Sequence, residues 1–305
     1  MPTPAYAAIT LGSNSFNMLI ANTKSGRPHV IAKYKRKVRL AEGIGCDGNL
    51  SAHVMARGLD CLVMFAQMLK QHNVPQDNVA VIATATLRNI NNADEFSQQA
   101  LSILGHPIEI ISGMREAELI YQGMVATTCG EGRRLVLDIG GASTEFIIGD
   151  GAQVLFKTSL PIGCVTYNQQ FFSSPPFQQM DFEDVQTQVQ LALGEHADAL
   201  RQLGWHCVVG ASGTVQSVVE LLLHRGLSET ITPDVLQSLQ AEVLRQDDSA
   251  LIGIVGLCPE RAPTFAAGVA ILQALFNLLG IEQLSLSGGA LREGVLQMLA
   301  NKVVS

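Results

Sequence analysis

The chain has 305 residues, 47% hydrophobic and 15% charged, with 20 basic against 27 acidic side chains for a formal charge of −7. That length supports two domain-sized cores. No run approaches the roughly 20 apolar residues of a membrane span, and the acidic balance disfavours a generic duplex-binding surface. Cys46, Cys61, Cys129, Cys164, Cys207 and Cys258 are scattered without a CxxC pair. This is the pattern of reduced thiols in a cytoplasmic protein rather than of a disulfide framework or zinc site. Met1–Ala8 lacks the basic and apolar regions of a secretory signal.

Ala7–Leu11 reads as a strand, Gly12–Ser15 as a turn and Phe16–Ala21 as a second strand; His29–Lys33 and Lys37–Leu40 continue the strand pattern. Between Lys24 and Arg39 stand Lys24, Arg27, Lys33, Lys35, Arg36, Lys37 and Arg39, with no acidic residue. Such a run is either a charged strand edge that discourages pairing or a patch that captures a polyanion. Ser51–Gln71 is a helix that Ser51 can cap. Asn78–Ala83 is β-rich, Asp94–Leu104 helical, Ile108–Ile111 a strand and Glu116–Met124 a helix. This alternation predicts an α/β fold.

A polar stretch at Thr127–Arg134 divides the chain into domains of 1–126 and 127–305, with the terminal helix able to pack back on the first. Leu135–Ile139 is an apolar strand entering the turn Gly140-Gly141-Ala142, and Thr144–Ile148 leaves it. Asp181–Leu203 and Pro233–Leu244 read as helices, and Cys207–Val209 as a strand ending in Gly210-Ala211-Ser212-Gly213-Thr214. Ala266–Leu278 is a buried helix, Gln283–Leu286 a strand, and Arg292–Ala300 a final helix.

The segments ITLGSNSFNML and LDIGGASTEFI are a degenerate repeat in which Gly12 and Gly140 lie 128 residues apart. That period suits two domain-sized copies. Each copy is strand, small-residue turn, strand. Glycine lets backbone amides approach an anion, and Ser13, Ser15, Ser143 and Thr144 add hydroxyls. Neither turn matches a P-loop or a dinucleotide fingerprint. Asp138, ending an apolar strand, requires a cation, hydrogen bonds or solvent; beside phosphate the cation would be Mg²⁺. Its alternative role is to cap turn amides. Glu145 or Glu116 could orient or deprotonate a water, and spacing does not rank them. Arg88 could neutralise phosphate oxygens. Arg292 could do the same or form an ion pair at a helix start.

These segments resemble the exopolyphosphatase/guanosine pentaphosphate phosphatase (Ppx/GppA) family, nearer its guanosine pentaphosphate phosphatase branch. The motifs are LGSNSF at Leu11–Phe16, KRKVRL at Lys35–Leu40, ATATLR at Ala83–Arg88, ISG at Ile111–Gly113, EAELIYQG at Glu116–Gly123, DIGGASTE at Asp138–Glu145, GCVT at Gly163–Thr166, GASGTVQ at Gly210–Gln216 and SGGALREG at Ser287–Gly294. The resemblance implies an α/β chain with two ribonuclease H-like domains of the acetate/sugar kinase, Hsp70 and actin type around a central cleft. It implies hydrolysis of terminal phosphoanhydride bonds in guanosine pentaphosphate or inorganic polyphosphate, with Mg²⁺ or another divalent cation.

On the same resemblance Glu116 is the catalytic base, and Asp138 and Glu145 position metal or water. It also places Gly141 and Ser143 in the phosphate turn and Arg88 on phosphate. From the residues themselves, the glycine-bearing strand ends add Gly12, Ser13, Asn14, Ser15, Gly140, Ala142, Thr144, Gly213 and Gly289 as candidate phosphate contacts, and the basic run adds Lys33, Lys35, Arg36, Lys37 and Arg39 as a candidate polyanion patch. Three positions depart from the family pattern. Thr10 stands where the first hairpin carries Asp, Asn17 where Arg or His is frequent, and Arg115 where an acid is common. Arg292 has no settled role. No nucleic-acid or membrane partner is implied, and a homodimer is compatible with the resemblance. An ATP-dependent small-molecule kinase of this fold and a turnover-deficient alarmstone or polyphosphate binder are the rival readings. The additional helical C-terminal domain of long family members has no counterpart before Ser305.

Overall fold

Five apolar residues and Thr10 make β1 (Tyr6–Leu11), and every one is buried because helices cover both faces of its sheet. The computed structural model describes residues 4–24 and 27–304. Residues 1–3 of the N-terminal stretch, Ser25 and Gly26 of the basic run, and Ser305 lie outside the described residues. Two compact units result: one holds the described residues up to Thr128 and those from Gly289 onward, the other Cys129–Gly288.

In the first unit, β1 is followed by β2 (Ser15–Lys24), β3 (Arg27–Lys37), α1 (Ala52–Gln71), β4 (Val79–Ala83), α2 (Ala85–Asn89), α3 (Ala93–Leu104), β5 (Ile108–Ile110) and α4 (Gly113–Thr127). The sheet order is β3-β2-β1-β4-β5, with β1, β2 and β3 antiparallel and β4 and β5 parallel to β1. Side chains alternate between faces along each strand. Ala7, Ile9 and Leu11 therefore join Leu62, Phe65 and Phe96 in one core, whereas Tyr6 and Ala8 join Leu119, Val295 and Leu299 in another.

The strand expected over His29–Lys33 is part of a longer one, β3, whereas that expected over Lys37–Leu40 does not form: β3 ends at Lys37, and Leu40–Gly43 is a 3-10 turn. Ser51 occupies the N-cap of α1, but its side chain makes no capping bond.

The second unit contains β6 (Arg133–Ile139), β7 (Thr144–Asp150), β8 (Gln153–Leu160), α5 (Cys164–Phe171), α6 (Gln179–Leu193), α7 (His196–Leu203), β9 (Cys207–Gly210), α8 (Gly213–His224), α9 (Pro233–Val243), α10 (Phe265–Leu279) and β10 (Ser285–Leu286). Its sheet order, β10-β9-β6-β7-β8, repeats that of the first unit strand for strand. The helix expected over Asp181–Leu203 is two, α6 and α7, with Gly194 at φ 46 ending the first. The stretch Ala262–Leu279 is, contrary to the sequence expectation, long and apolar enough to cross a membrane; 72% of it is buried inside the structure. Its burial accounts for its composition, since α10 packs against α5, α6, α8 and α9 and buries twelve of its fifteen residues.

The last helix, α11 (Leu291–Val304), lies in the first unit, against α4. Gly123 on α4 faces the carbonyl of Ala290, and Gly294 on α11 faces that of Leu119. A Cβ at either position would overlap that oxygen, so the close crossing depends on both glycines.

Candidate active site

The two glycine turns close with the same bond. Gly12 N–H donates to Ser15 O at 3.1 Å, and Gly140 N–H donates to Ser143 O at 2.8 Å. The carbonyls of the first turn are taken up by Arg39 N–H (to Asn14 O, 2.9 Å) and Ala41 N–H (to Ser13 O, 3.1 Å). Those of the second are taken up by the start of α5, through Cys164 N–H to Gly140 O and Val165 N–H to Gly141 O, both 2.9 Å. Among the described residues the N–H groups of Ser13, Asn14, Gly141 and Ala142 have no protein acceptor. Each turn thus presents consecutive free donors, the arrangement that receives an anion. Ser13, Ser143 and Thr144 are buried, and Ser15 and Asn14 half-buried.

Strand register makes the repeat specific. Thr10 pairs with Asn17 in the first unit, and Asp138 with Glu145 in the second. One repeat therefore carries a neutral pair where the other carries two carboxylates. Directly opposed like charges are destabilising unless they are compensated. Glu145 is 1% exposed, and its Oε1 accepts from Ser143 Oγ at 2.9 Å and from Ser159 Oγ at 2.7 Å. Asp138 is half-buried at the strand end.

Among the described residues no three His, Cys, Asp or Glu side chains cluster as a metal cage. Mg²⁺ characteristically takes one or two carboxylates and completes its shell with water and phosphate. The hard oxygens of Asp138 and Glu145 beside an anion-receiving turn fit that ion.

Glu116 is placed by the start of α4. Ser112 caps the helix, its hydroxyl accepting from Arg115 N–H at 3.2 Å, and Glu116 follows in the first turn, 7% exposed. A carboxylate there is favoured by the helix dipole. Arg88, from α2, donates through Nη1 to Ile111 O at 2.7 Å and reaches Glu116 Oε2 at 3.4 Å. Arg115 turns away, pairing with Glu118 at 2.9 Å and pointing to Met298 Sδ on α11. Arg292 makes the helix-start ion pair, Nε to Glu293 Oε1 at 2.8 Å. Gly289 packs beside Thr127 in the first unit, and Gly213 opens α8, whose Thr214 Oγ1 donates to Ile139 O at 3.1 Å. Lys33, Lys35 and Arg36 are exposed on β3, Lys37 is half-buried, and Arg39 pairs with Glu42 at 3.7 Å.

The sequence reading omitted Ser159 and Gly163 from the site. Ser159 has no local signal; its cross-strand pairing with Glu145 brings it there. A Cβ at Gly163 would overlap the Gly141 carbonyl and the Ala142 backbone. The glycine of GCVT, present in the motif, was the available clue.

Two sheets of one topology, each with an anion-receiving turn after its first strand, define an α/β chain built of two like units. The chain belongs to the Ppx/GppA phosphatase family, whose model matches residues 19–303. Within it the chain stands nearer the guanosine pentaphosphate phosphatase branch. It is 46% identical over 293 residues to a guanosine-5'-triphosphate,3'-diphosphate pyrophosphatase of Vibrio vulnificus, covering 96% of this chain and 59% of that protein. A protein of the same name from Vibrio parahaemolyticus is 44% identical over 301 residues, covering 99% and 60%. The chain thus spans about three-fifths of these relatives. Among solved structures, an exopolyphosphatase from Cytophaga hutchinsonii superposes with a TM-score of 0.89 at 25% identity over 98% of both chains. The Aquifex aeolicus family member gives 0.78 at 23% identity over 99% of this chain and 98% of that one.

Proposed function

We propose that this chain hydrolyses terminal phosphoanhydride bonds, releasing inorganic phosphate from guanosine pentaphosphate, inorganic polyphosphate or both. The observation that carries the reading is the buried Glu116 carboxylate held beside Arg88 at 3.4 Å. Glu116 accepts a proton from water as its oxygen attacks the terminal phosphorus. The bond from phosphorus to the bridging oxygen breaks, and the shortened polyphosphate or guanosine tetraphosphate leaves. Free N–H groups of the Gly12–Ser15 turn and the Arg88 guanidinium stabilise charge on the phosphoryl oxygens. Asp138 would hold Mg²⁺, with Glu145 oriented by Ser143 and Ser159. The ion, when bound, supplies neutralisation of phosphate charge.

The branch supports guanosine pentaphosphate as a substrate, since the Vibrio relatives are named for it. Polyphosphate is supported by the name of the Cytophaga structure. We place the protein in the cytoplasm, where its six cysteines would remain reduced thiols.

The test is phosphate release by purified protein with Mg²⁺ on guanosine pentaphosphate, long-chain polyphosphate and ATP in parallel. Glu116→Gln should abolish most release while retaining the fold; near-unchanged turnover would remove Glu116 as the base. A second reading, a binding protein without turnover, is favoured by the neutral Thr10–Asn17 pair. Tight calorimetric binding with release no greater than that of Glu116→Gln would establish it.

A further inference from the structure

Lys35 is the cross-strand partner of Asn17, and Asn17 of Thr10. Opposed residues of antiparallel strands share a face, so these three form a row across β1, β2 and β3. Ser15 with Lys37 and Leu19 with Lys33 form the flanking rows. Lys33, Lys35 and Lys37 therefore alternate onto one face, while Ala32 and Tyr34 pack on the core beneath α1 and α3. The lysine face is the one that carries Tyr6, Ala8 and Leu19 against Leu119 of α4, the helix of Glu116. Its end nearest Lys37 adjoins the Gly12–Ser15 turn, where Arg39 N–H bonds Asn14 O.

β3 is an edge strand, and lysines on an edge discourage sheet pairing. Edge protection needs charge somewhere on the strand. It does not call for three consecutive same-face lysines, nor for a run holding seven of the 20 basic residues and no acid in a chain of charge −7. Lys33 to Lys37 spans about 13 Å at strand rise, more than one phosphate occupies.

We propose that Lys33, Lys35 and Lys37 form a rail for the phosphate chain of the substrate beyond the phosphate released, with Lys35 in the row of Thr10 and Asn17. The rail rests on the phosphohydrolase reading for the identity of its substrate. Lysines act here as point charges rather than fixed forks, so they neutralise a linear polyanion without demanding one register. Their contribution falls with salt as counterion release predicts.

Equilibrium binding tests the rail without turnover. In the Glu116→Gln background with Mg²⁺, end-labelled long-chain polyphosphate is titrated and anisotropy read, with guanosine pentaphosphate as competitor. Combining Lys33→Gln, Lys35→Gln and Lys37→Gln should weaken binding at least tenfold and flatten its salt dependence. Lys70→Gln, which removes a charge from α1, should not. A loss confined to the long chain identifies inorganic polyphosphate as the ligand; an equal loss for guanosine pentaphosphate identifies the nucleotide triphosphate. Unchanged affinity for both, with the fold verified by circular dichroism, overturns the rail. So does an equal, lysine-dependent affinity for a single-stranded oligonucleotide of matched charge. Lysine-dependent binding by a wild-type protein that releases no phosphate would overturn the hydrolytic reading alone.

Discussion

The Arg88 guanidinium joins the Glu116 carboxylate to the strand end beside it: Nη1 lies 2.7 Å from Ile111 O and 3.4 Å from Glu116 Oε2. One nitrogen thus ties the first turn of α4 to the segment that precedes it. The side chains are 25% and 9% exposed, so the carboxylate is the more deeply buried of the two.

Removing the two partners should have different consequences. Glu116→Gln keeps the volume and should lower phosphate release about 10²- to 10⁴-fold, the range for loss of a general base, with little change in melting temperature. Arg88→Ala leaves a buried carboxylate without its cation. It should cost about 1–3 kcal/mol in denaturant unfolding as well as activity.

Asp138→Asn retains the size of the side chain and removes its charge. Half-maximal Mg²⁺ for phosphate release should rise on the order of tenfold or more, and EDTA should stop release by the unmodified protein. An unchanged Mg²⁺ titration would exclude Asp138 as a ligand.

Gly163→Ala should disturb the second turn, because the new methyl meets the backbone of Gly141 and Ala142 rather than a movable side chain. A loss of about 1–3 kcal/mol, typical of overpacking, should accompany loss of phosphate release. Gly151→Ala is the comparison: nothing lies within 4 Å of its Cβ, but its φ of 55 is left-handed. Only the backbone cost of about 1–2 kcal/mol should appear there, with activity retained.

Thiol reactivity should separate the cysteines. Burial pushes the Cys61 thiol up to about 12, against a smaller opposing effect of Arg36. It should remain a protonated, unreactive thiol at neutral pH. Brief alkylation of the native protein followed by mass mapping should label exposed Cys46, Cys129, Cys207 and Cys258 and spare buried Cys61 and Cys164.

Acid should destabilise the first unit through His106. Burial lowers its affinity for a proton in the folded state, opposed more weakly by Asp77. The unfolded chain then binds more protons, so stability rises with pH. Its contribution is present above the ordinary histidine value of 6.5 and lost as pH falls through the lower folded value. His106→Asn should flatten the acid limb of a melting-temperature profile.

What the sequence determined by itself was local: apolar strands, glycine turns and the 128-residue offset between them. A strand entering a small-residue turn writes its pattern into adjacent positions, so the Gly12 and Gly140 hairpins were legible, as was the α/β alternation. Family motifs nominated Glu116, Asp138 and Arg88. Tertiary structure decided which groups meet. Ser159 reaches Glu145 from the neighbouring strand, Arg88 reaches Glu116 across 28 residues, and Arg115 spends its charge on Glu118.

Register also decided that Thr10–Asn17 is the structural equivalent of Asp138–Glu145 and that Lys35 continues the neutral row. Periodicity within one strand assigns a side chain to a face. Only the pairing between strands says which residue of the next strand shares its place.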